Sequence, residues 1–214
     1  MGRAIADLLV GSDWNAVLVS RHSSDVTDER TPHFVADVSS EQSVRAAVRS
    51  ILNGGSIDAL VYSVGLKPDV GTPLSDYDSA DWRKTFAAYV DGLFYVYKAI
   101  LPSMERGGHI LAISSAITRL SSDSLPPFNA GHYAAAKSAL DEFCKWARRE
   151  AHERGLLMSR VAPGSVRSPT SDALRVPVKN TLSPESVALR VVEAIVKHQE
   201  IDEQMLANSS AEVT

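Results

Sequence analysis

Short apolar runs of strand type alternate with helical stretches along almost the whole sequence, and this alternation restricts the fold more than any other feature. Residues 15–20 (NAVLVS), 33–38 (HFVADV), 57–64 (IDALVYSV), the HILAISS run after Gly107-Gly108, and 156–161 (LLMSRV) read as strands. The opening MGRAIADLLV already has helical periodicity. Ser39-Ser40-Glu41-Gln42 is an N-cap leading into a helix through Leu52, which Asn53-Gly54-Gly55 ends. A long helix is expected over 81–104, another over 133–154 stopped at Gly155, and a last one from Ser183-Pro184-Glu185 to about His198, with proline in its first turn. Residues 201–214 have weak strand character at best. Near-continuous apolar strands separated by helices imply an α/β fold whose mostly parallel sheet is covered on both faces. At 214 residues the chain is expected to form one domain spanning 1–214. Ligands of such sheets bind beyond the carboxyl ends of the strands, here at 20–21, 37–38, 63–65, 114–115 and 163–164.

Composition narrows the partners. A net charge of −4 offers no electrostatic reason to bind nucleic acid or an anionic membrane. Cys144 is the only cysteine, so an internal disulfide and a cysteine metal cluster are both excluded, and a reducing, cytoplasmic setting is expected. The six histidines show no metal-ligand spacing, and no metal site is expected. The sequence shows neither a membrane-spanning run nor a signal peptide at its start. The sequon at 208–210 carries little meaning without one.

Tyr133-Ala134-Ala135-Ala136-Lys137 places a phenol and an ammonium four residues apart, on one face of a helix. A cation beside a phenol favours phenolate and is expected to lower the tyrosine pKa, making Tyr133 a general acid or base. The spacing arises by chance often enough to need context. Ser115 supplies it, because its hydroxyl ends the preceding strand at the same edge of the sheet.

With these residues in place, the sequence resembles a classical short-chain dehydrogenase/reductase. GRAIA, LVSR, ADV, DALVYSVG, DGLFYVYKAILPSM, GGHILAISS, YAAAK, VAPGSV and SPESVA match in order through nearly the whole chain. The resemblance implies a Rossmann-like doubly wound parallel sheet and an oxidoreductase moving hydride between NADP(H) and a carbonyl or secondary alcohol. Ser115 would polarise the substrate carbonyl, Tyr133 would pass the proton, and Lys137 would hold the nicotinamide ribose and tune Tyr133. Ser115 rather than Ser114 is chosen as the second serine of the ISS run. For the cofactor, Gly2 would lie at the end of the pyrophosphate loop, Ser20, Arg21 and Ser63 would contribute to the binding site, and Asp37 and Val38 would contact the adenine. Gly65 would let the backbone approach the dinucleotide. Pro163, Gly164 and Val166 would pass beside the nicotinamide. Arg21 resembles the position that selects NADP(H) over NAD(H), although a solvated strand-end charge reads the same way. Self-association as a dimer or tetramer, through the helices at 81–104 and 133–154, is implied as well.

Three departures stand out. The family begins with a strand and a TGxxxGxG loop, and Met1-Gly2 aligns with the end of that loop, so the expected sheet is truncated at its N-terminal side. That strand is central, between NAVLVS and DALVYSV. Its place would be closed up, filled by another segment such as the C-terminal tail, or filled by a partner's strand, unless the natural start lies further upstream. Second, Tyr89 stands where the family usually has a relay asparagine, and Tyr62-Ser63-Val64-Gly65 replaces the NNAG turn. Third, the Ser115–Tyr133 connection is longer than usual, and its extra segment at 118–132 either reshapes the substrate pocket or is a surface insertion. Two other readings remain open: a non-redox enzyme on the same scaffold, or a non-catalytic paralogue acting as a partner subunit. The first is seen in halohydrin dehalogenases, which have arginine where Lys137 stands.

Overall fold

The computed structural model describes residues 1–22, 29–66, 71–121, 123, 129–167 and 181–206. The sequon, most of the loop at 167–181, and residues 122 and 124–128 of the long connection lie outside them. The elements are α1 (Gly2–Val10), β1 (Leu18–Ser20), β2 (His33–Val35), α2 (Glu41–Leu52), β3 (Ala59–Tyr62), α3 (Ser79–Phe86), α4 (Gly92–Ile100), β4 (His109–Ile113), α5 (Gly131–Glu153), β5 (Leu157–Pro163), α6 (Pro184–Val196) and β6 (Asp202–Met205).

Among the described residues every strand pair is parallel, in two sheets of order β1-β2 and β3-β4-β5-β6. Side chains alternate across the larger sheet as its period of two requires. Leu111 and Ile113 face a cluster with Ile5 and Leu9 of α1 and Val187, Val191 and Ile195 of α6. Ile110 and Ala112 face Leu93 and Tyr97 of α4 and Leu140 and Ala147 of α5. Helices therefore cover both faces, as in a doubly wound Rossmann-type sheet.

The sheet divides where the resemblance puts its first strand. Among the described residues, β1 pairs with β2 and not with β3, so the gap has not closed. The part of the C-terminal segment that becomes a strand, β6, lies on the far side of β5 and does not fill it. Helix α1 spans the two pieces. Its Ala6 and Val10 pack with Ala16 and Leu18, while its Ile5 and Leu9 pack into the larger sheet.

Local chemistry accounts for most boundaries. Ser40 caps α2 through its hydroxyl, which accepts from the Ser43 N–H at 3.3 Å, and Asn53 ends the helix with φ of 37°. Ser183 caps α6 in the same way, accepting from Ser186 N–H at 3.0 Å, with Pro184 in the first turn. The expected single helix over 81–104 is interrupted. A π turn at Ala87–Asp91 separates α3 from α4. Its cause is the Tyr62 hydroxyl, which donates to the Ala88 carbonyl at 2.6 Å. Gly92 gives that phenol room, because any Cβ there would run into it. The strand β6 is firmer than its polar sequence DEQM suggests, because Ile201 is buried beside it and the Ile201 N–H donates to Ser159 Oγ at 2.9 Å.

Candidate active site

The carboxyl ends of β1, β2 and β3 border a cavity of about 740 Å³, whose wall includes neither Ser115 nor Lys137. Ser20, Arg21, Asp37 and Val38 line it beyond β1 and β2, Ser63 and Gly65 beyond β3, and Tyr89 and Tyr133 beside the helices. Beyond β1, Ser20 Oγ donates to the His22 carbonyl and meets His33 Nε2, each at 2.8 Å. The Asp37 carboxylate accepts from the Ser39 hydroxyl at 2.7 Å and from the Ser39 N–H at 2.9 Å. These bonds, with Arg21 nearby, hold Asp37 below the usual carboxylate range. Gly2 opens α1 beside Ser63, its missing side chain pointing to Ser63 Cβ and Oγ at 3.9 Å.

Pro163 and Gly164 end β5, and the Gly164 N–H donates to the Met205 carbonyl at 2.7 Å. Val166 forms a parallel bridge to Leu182. None of these three lies on the cavity wall described above, and neither does Gly2.

Ser115 and Lys137 approach Tyr133 from β4 and from one turn along α5. Ser115 caps a short 3₁₀ turn at Ala116–Arg119. The Tyr133 phenol is pushed up to about 12, chiefly by loss of water around it, against a hydrogen bond with Ser115. This reverses the lowering expected from the Tyr-Lys spacing. Lys137 is only 3% exposed, and its Nζ donates to the Ile113 carbonyl at 2.8 Å, 5.9 Å from the centre of the Tyr133 ring. Burial lowers Lys137 to about 8, with Asp141 opposing the fall.

Asp141, one turn beyond Lys137, escaped the reading of the sequence. Its carboxylate accepts from Ser114 Oγ, from Thr118 Oγ1 at 2.8 Å and from Arg160 Nη1 at 2.9 Å. Thr118 Oγ1 also lies 3.0 Å from the Ser115 carbonyl, so its single proton is shared between the two acceptors and ties Asp141 to the turn that carries Ser115. Ser114 is thereby engaged away from Tyr133. Arg160, 4% exposed on β5, donates through Nε at 2.9 Å and through Nη2 to Asp202 on β6. The signals were present: Asp141 follows Lys137 by four residues, and an arginine inside LLMSRV has to find a partner when buried.

With this geometry established, comparison with known proteins identifies the class. A family model for short chain dehydrogenase matches residues 1–178. The chain belongs to the short chain dehydrogenase family of oxidoreductases. It is 27% identical over 187 residues to a 3-oxoacyl-[acyl-carrier-protein] reductase of Vibrio cholerae, covering 81% of this chain and 72% of that one. It is 28% identical over 209 residues to carbonyl reductase family member 4 of Xenopus laevis, covering 90% and 85%. Among solved structures, a short-chain dehydrogenase/reductase from Brucella melitensis superposes with a TM-score of 0.78 at 25% identity, covering 95% and 90%. A Burkholderia cenocepacia short chain dehydrogenase in complex with NADP shares the fold, with a TM-score of 0.77 at 21% identity, covering 95% and 91%. No helix among the described residues is long and apolar enough to cross a membrane.

Proposed function

We propose that the chain is an NADP(H)-linked oxidoreductase that reduces a carbonyl, or oxidises a secondary alcohol, through Ser115, Tyr133 and Lys137. The observation that carries this reading is one cavity reaching from Arg21 and Asp37 to Tyr133, with the Ser115 hydroxyl close enough to that phenol to favour its ionised form. The relatives described as carbonyl and 3-oxoacyl reductases support the reducing direction.

The residues present fit a dinucleotide. Gly65 has open space where a side chain would stand, so a ligand can approach its backbone. The first turn of α1 has no side-chain cap, leaving N–H groups for a phosphate. Arg21 is exposed where a 2′-phosphate would lie. Once bound, the nicotinamide supplies the hydride. In reduction, the Tyr133 phenol, kept protonated by its surroundings, gives its proton to the substrate oxygen, which the Ser115 hydroxyl orients. Lys137 would hold positive charge beside Tyr133 and would bind a ribose hydroxyl of the nucleotide. The exposed Phe94 of α4 and Trp146 of α5 support self-association through those helices. The buried free thiol of Cys144 is consistent with a cytoplasmic setting.

Calorimetric titration of NADPH and NADH into the purified chain tests this reading. Submillimolar NADPH binding, weakened by Lys137→Ala, is the expected result. A folded chain that binds neither nucleotide would overturn it and favour a non-redox enzyme or a non-catalytic partner subunit.

A further inference from the structure

The site contains an aromatic residue that the proposed triad does not use. Tyr89 sits in the π turn, buried, with its ring face 4.4 Å from Lys137 Nζ. It meets the Tyr133 ring in a T-shaped contact, at 5.6 Å between centroids and 74° between planes. Its hydroxyl accepts the Leu66 N–H at 2.9 Å, and the turn beneath it is pinned by the bond from Tyr62 to the Ala88 carbonyl. The ring is therefore fixed at both ends, with its negative face toward a buried ammonium.

We propose that Tyr89 is a positioning residue whose ring face seats the Lys137 ammonium, keeping it charged and aimed beside Tyr133. This rests on the redox reading only for its purpose, because the seat itself is a property of the unliganded chain. Lys137 has three N–H donors. One is used by the Ile113 carbonyl, and the ring face takes up part of what remains, leaving the ammonium directed toward the Tyr133 side. Such a seat is needed because burial drives Lys137 toward its neutral form. The titratable and charged groups around Lys137 are Tyr133, Asp141 and Cys144 on its own helix, Tyr89 from the π turn, and Arg160 of β5 behind Asp141. Among these, Asp141 favours the ammonium through its charge, and Tyr89 does so through its ring. Tyr62 and Tyr89 also act together, since the first phenol opens the turn that brings the second ring under the lysine.

The test is an NMR pH titration of the full chain carrying [ε-¹³C]lysine, with the Lys137 signal assigned by its loss in Lys137→Ala. Tyr89→Phe keeps the face and should leave the Lys137 midpoint in place. Tyr89→Leu removes the face and should lower that midpoint by about one pH unit, the size expected for a desolvated cation–π contact. Should Tyr89→Leu fail to fold, phenylalanine analogues at position 89 bearing one, two and three ring fluorines weaken the face at nearly constant volume. The midpoint should then fall stepwise with fluorine count. A midpoint unmoved by leucine, or by the fluorine series, overturns the seat whatever the nucleotide does. A midpoint that moves in a chain that binds no NADPH supports the seat and leaves the failure with the redox reading.

Discussion

The two pieces of the sheet are built to different standards. In β4 every residue is buried, and in β5 all but Leu157, with Val161 at 0% exposure. In β1 and β2, Val19 is 44% and Val35 60% exposed, and the polar ends carry Ser20, Arg21 and Asp37. Tyr133, Ser115 and Lys137 all hang from the well-packed piece, whereas the residues assigned to the adenosine end hang from the sparse one. Proton transfer needs a fixed geometry, while holding the end of a long ligand tolerates a looser frame. If the contrast is functional, chemistry and nucleotide affinity are separable by mutation.

The largest expected effect is on chemistry alone. Tyr133→Phe removes the proposed acid while leaving the ring, and should cut the rate of NADPH-dependent carbonyl reduction by roughly 10²–10⁴-fold. NADPH affinity measured by calorimetry should stay within about twofold of the parent chain, because the hydroxyl is not proposed to carry binding energy. Comparable turnover in the variant would remove Tyr133 from the mechanism.

Next in size is the network behind the site. Arg160→Met leaves Asp141 half-buried without its guanidinium, and should cost about 3–5 kcal/mol in urea denaturation. The same change at exposed Arg21 should cost less than about 0.5 kcal/mol. Pairing Arg160→Met with Asp141→Leu should return much of the loss, since a buried pair replaced as a whole is often close to neutral. Equal costs at positions 160 and 21 would erase the contrast between the two pieces.

A pH-dependent effect of somewhat smaller size belongs to the same piece. His109 opens β4 fully buried, with Nε2 2.7 Å from Ser159 Oγ. Desolvation pushes it down to about 4 from the ordinary 6.5. Between those values the unfolded chain binds the proton and the folded chain does not, so stability from this residue is complete above about pH 6.5 and is lost as pH falls toward 4. The loss is at most about 3 kcal/mol. Denaturation midpoints from pH 7 to 4 should slope downward, and His109→Gln should flatten the slope.

These predictions also mark where the sequence was legible. The capping serines, the strand cores and the Tyr133–Lys137 face depend on neighbours within a few residues, so their pattern is local. The π turn does not, because it is opened by Tyr62, 26 positions before Ala88. Strand β6 is likewise invisible in DEQM. It becomes a strand because Arg160 and Ser159 of β5 draw in Asp202 and the Ile201 N–H. The rise of the Tyr133 pKa was not legible either, since desolvation depends on the assembled walls of the site rather than on the residue four positions away.

A matched pair of truncations sharpens the packing side of the comparison. Val161→Ala should cost about 2 kcal/mol, from two lost methyl groups and the cavity they leave. Val19→Ala, in the half-exposed strand, should cost less than about 1 kcal/mol, because little of its surface leaves water on folding.

The smallest effect is the one that addresses the cofactor. Arg21 lies on the cavity wall near enough to Asp37 to lower its pKa, and it is free of buried commitments. A guanidinium meeting a 2′-phosphate makes a charge-assisted contact that NADH, with a hydroxyl there, cannot make. Arg21→Ala should therefore weaken NADPH by about tenfold, equivalent to about 1.4 kcal/mol, and leave NADH within about twofold. Adding salt should narrow the NADPH advantage in the parent chain and change little in the variant, because an exposed charge contact is screened. If NADPH and NADH weaken equally, Arg21 acts on the shared adenosine instead, and preference for the phosphate must come from another residue at the sparse end of the sheet.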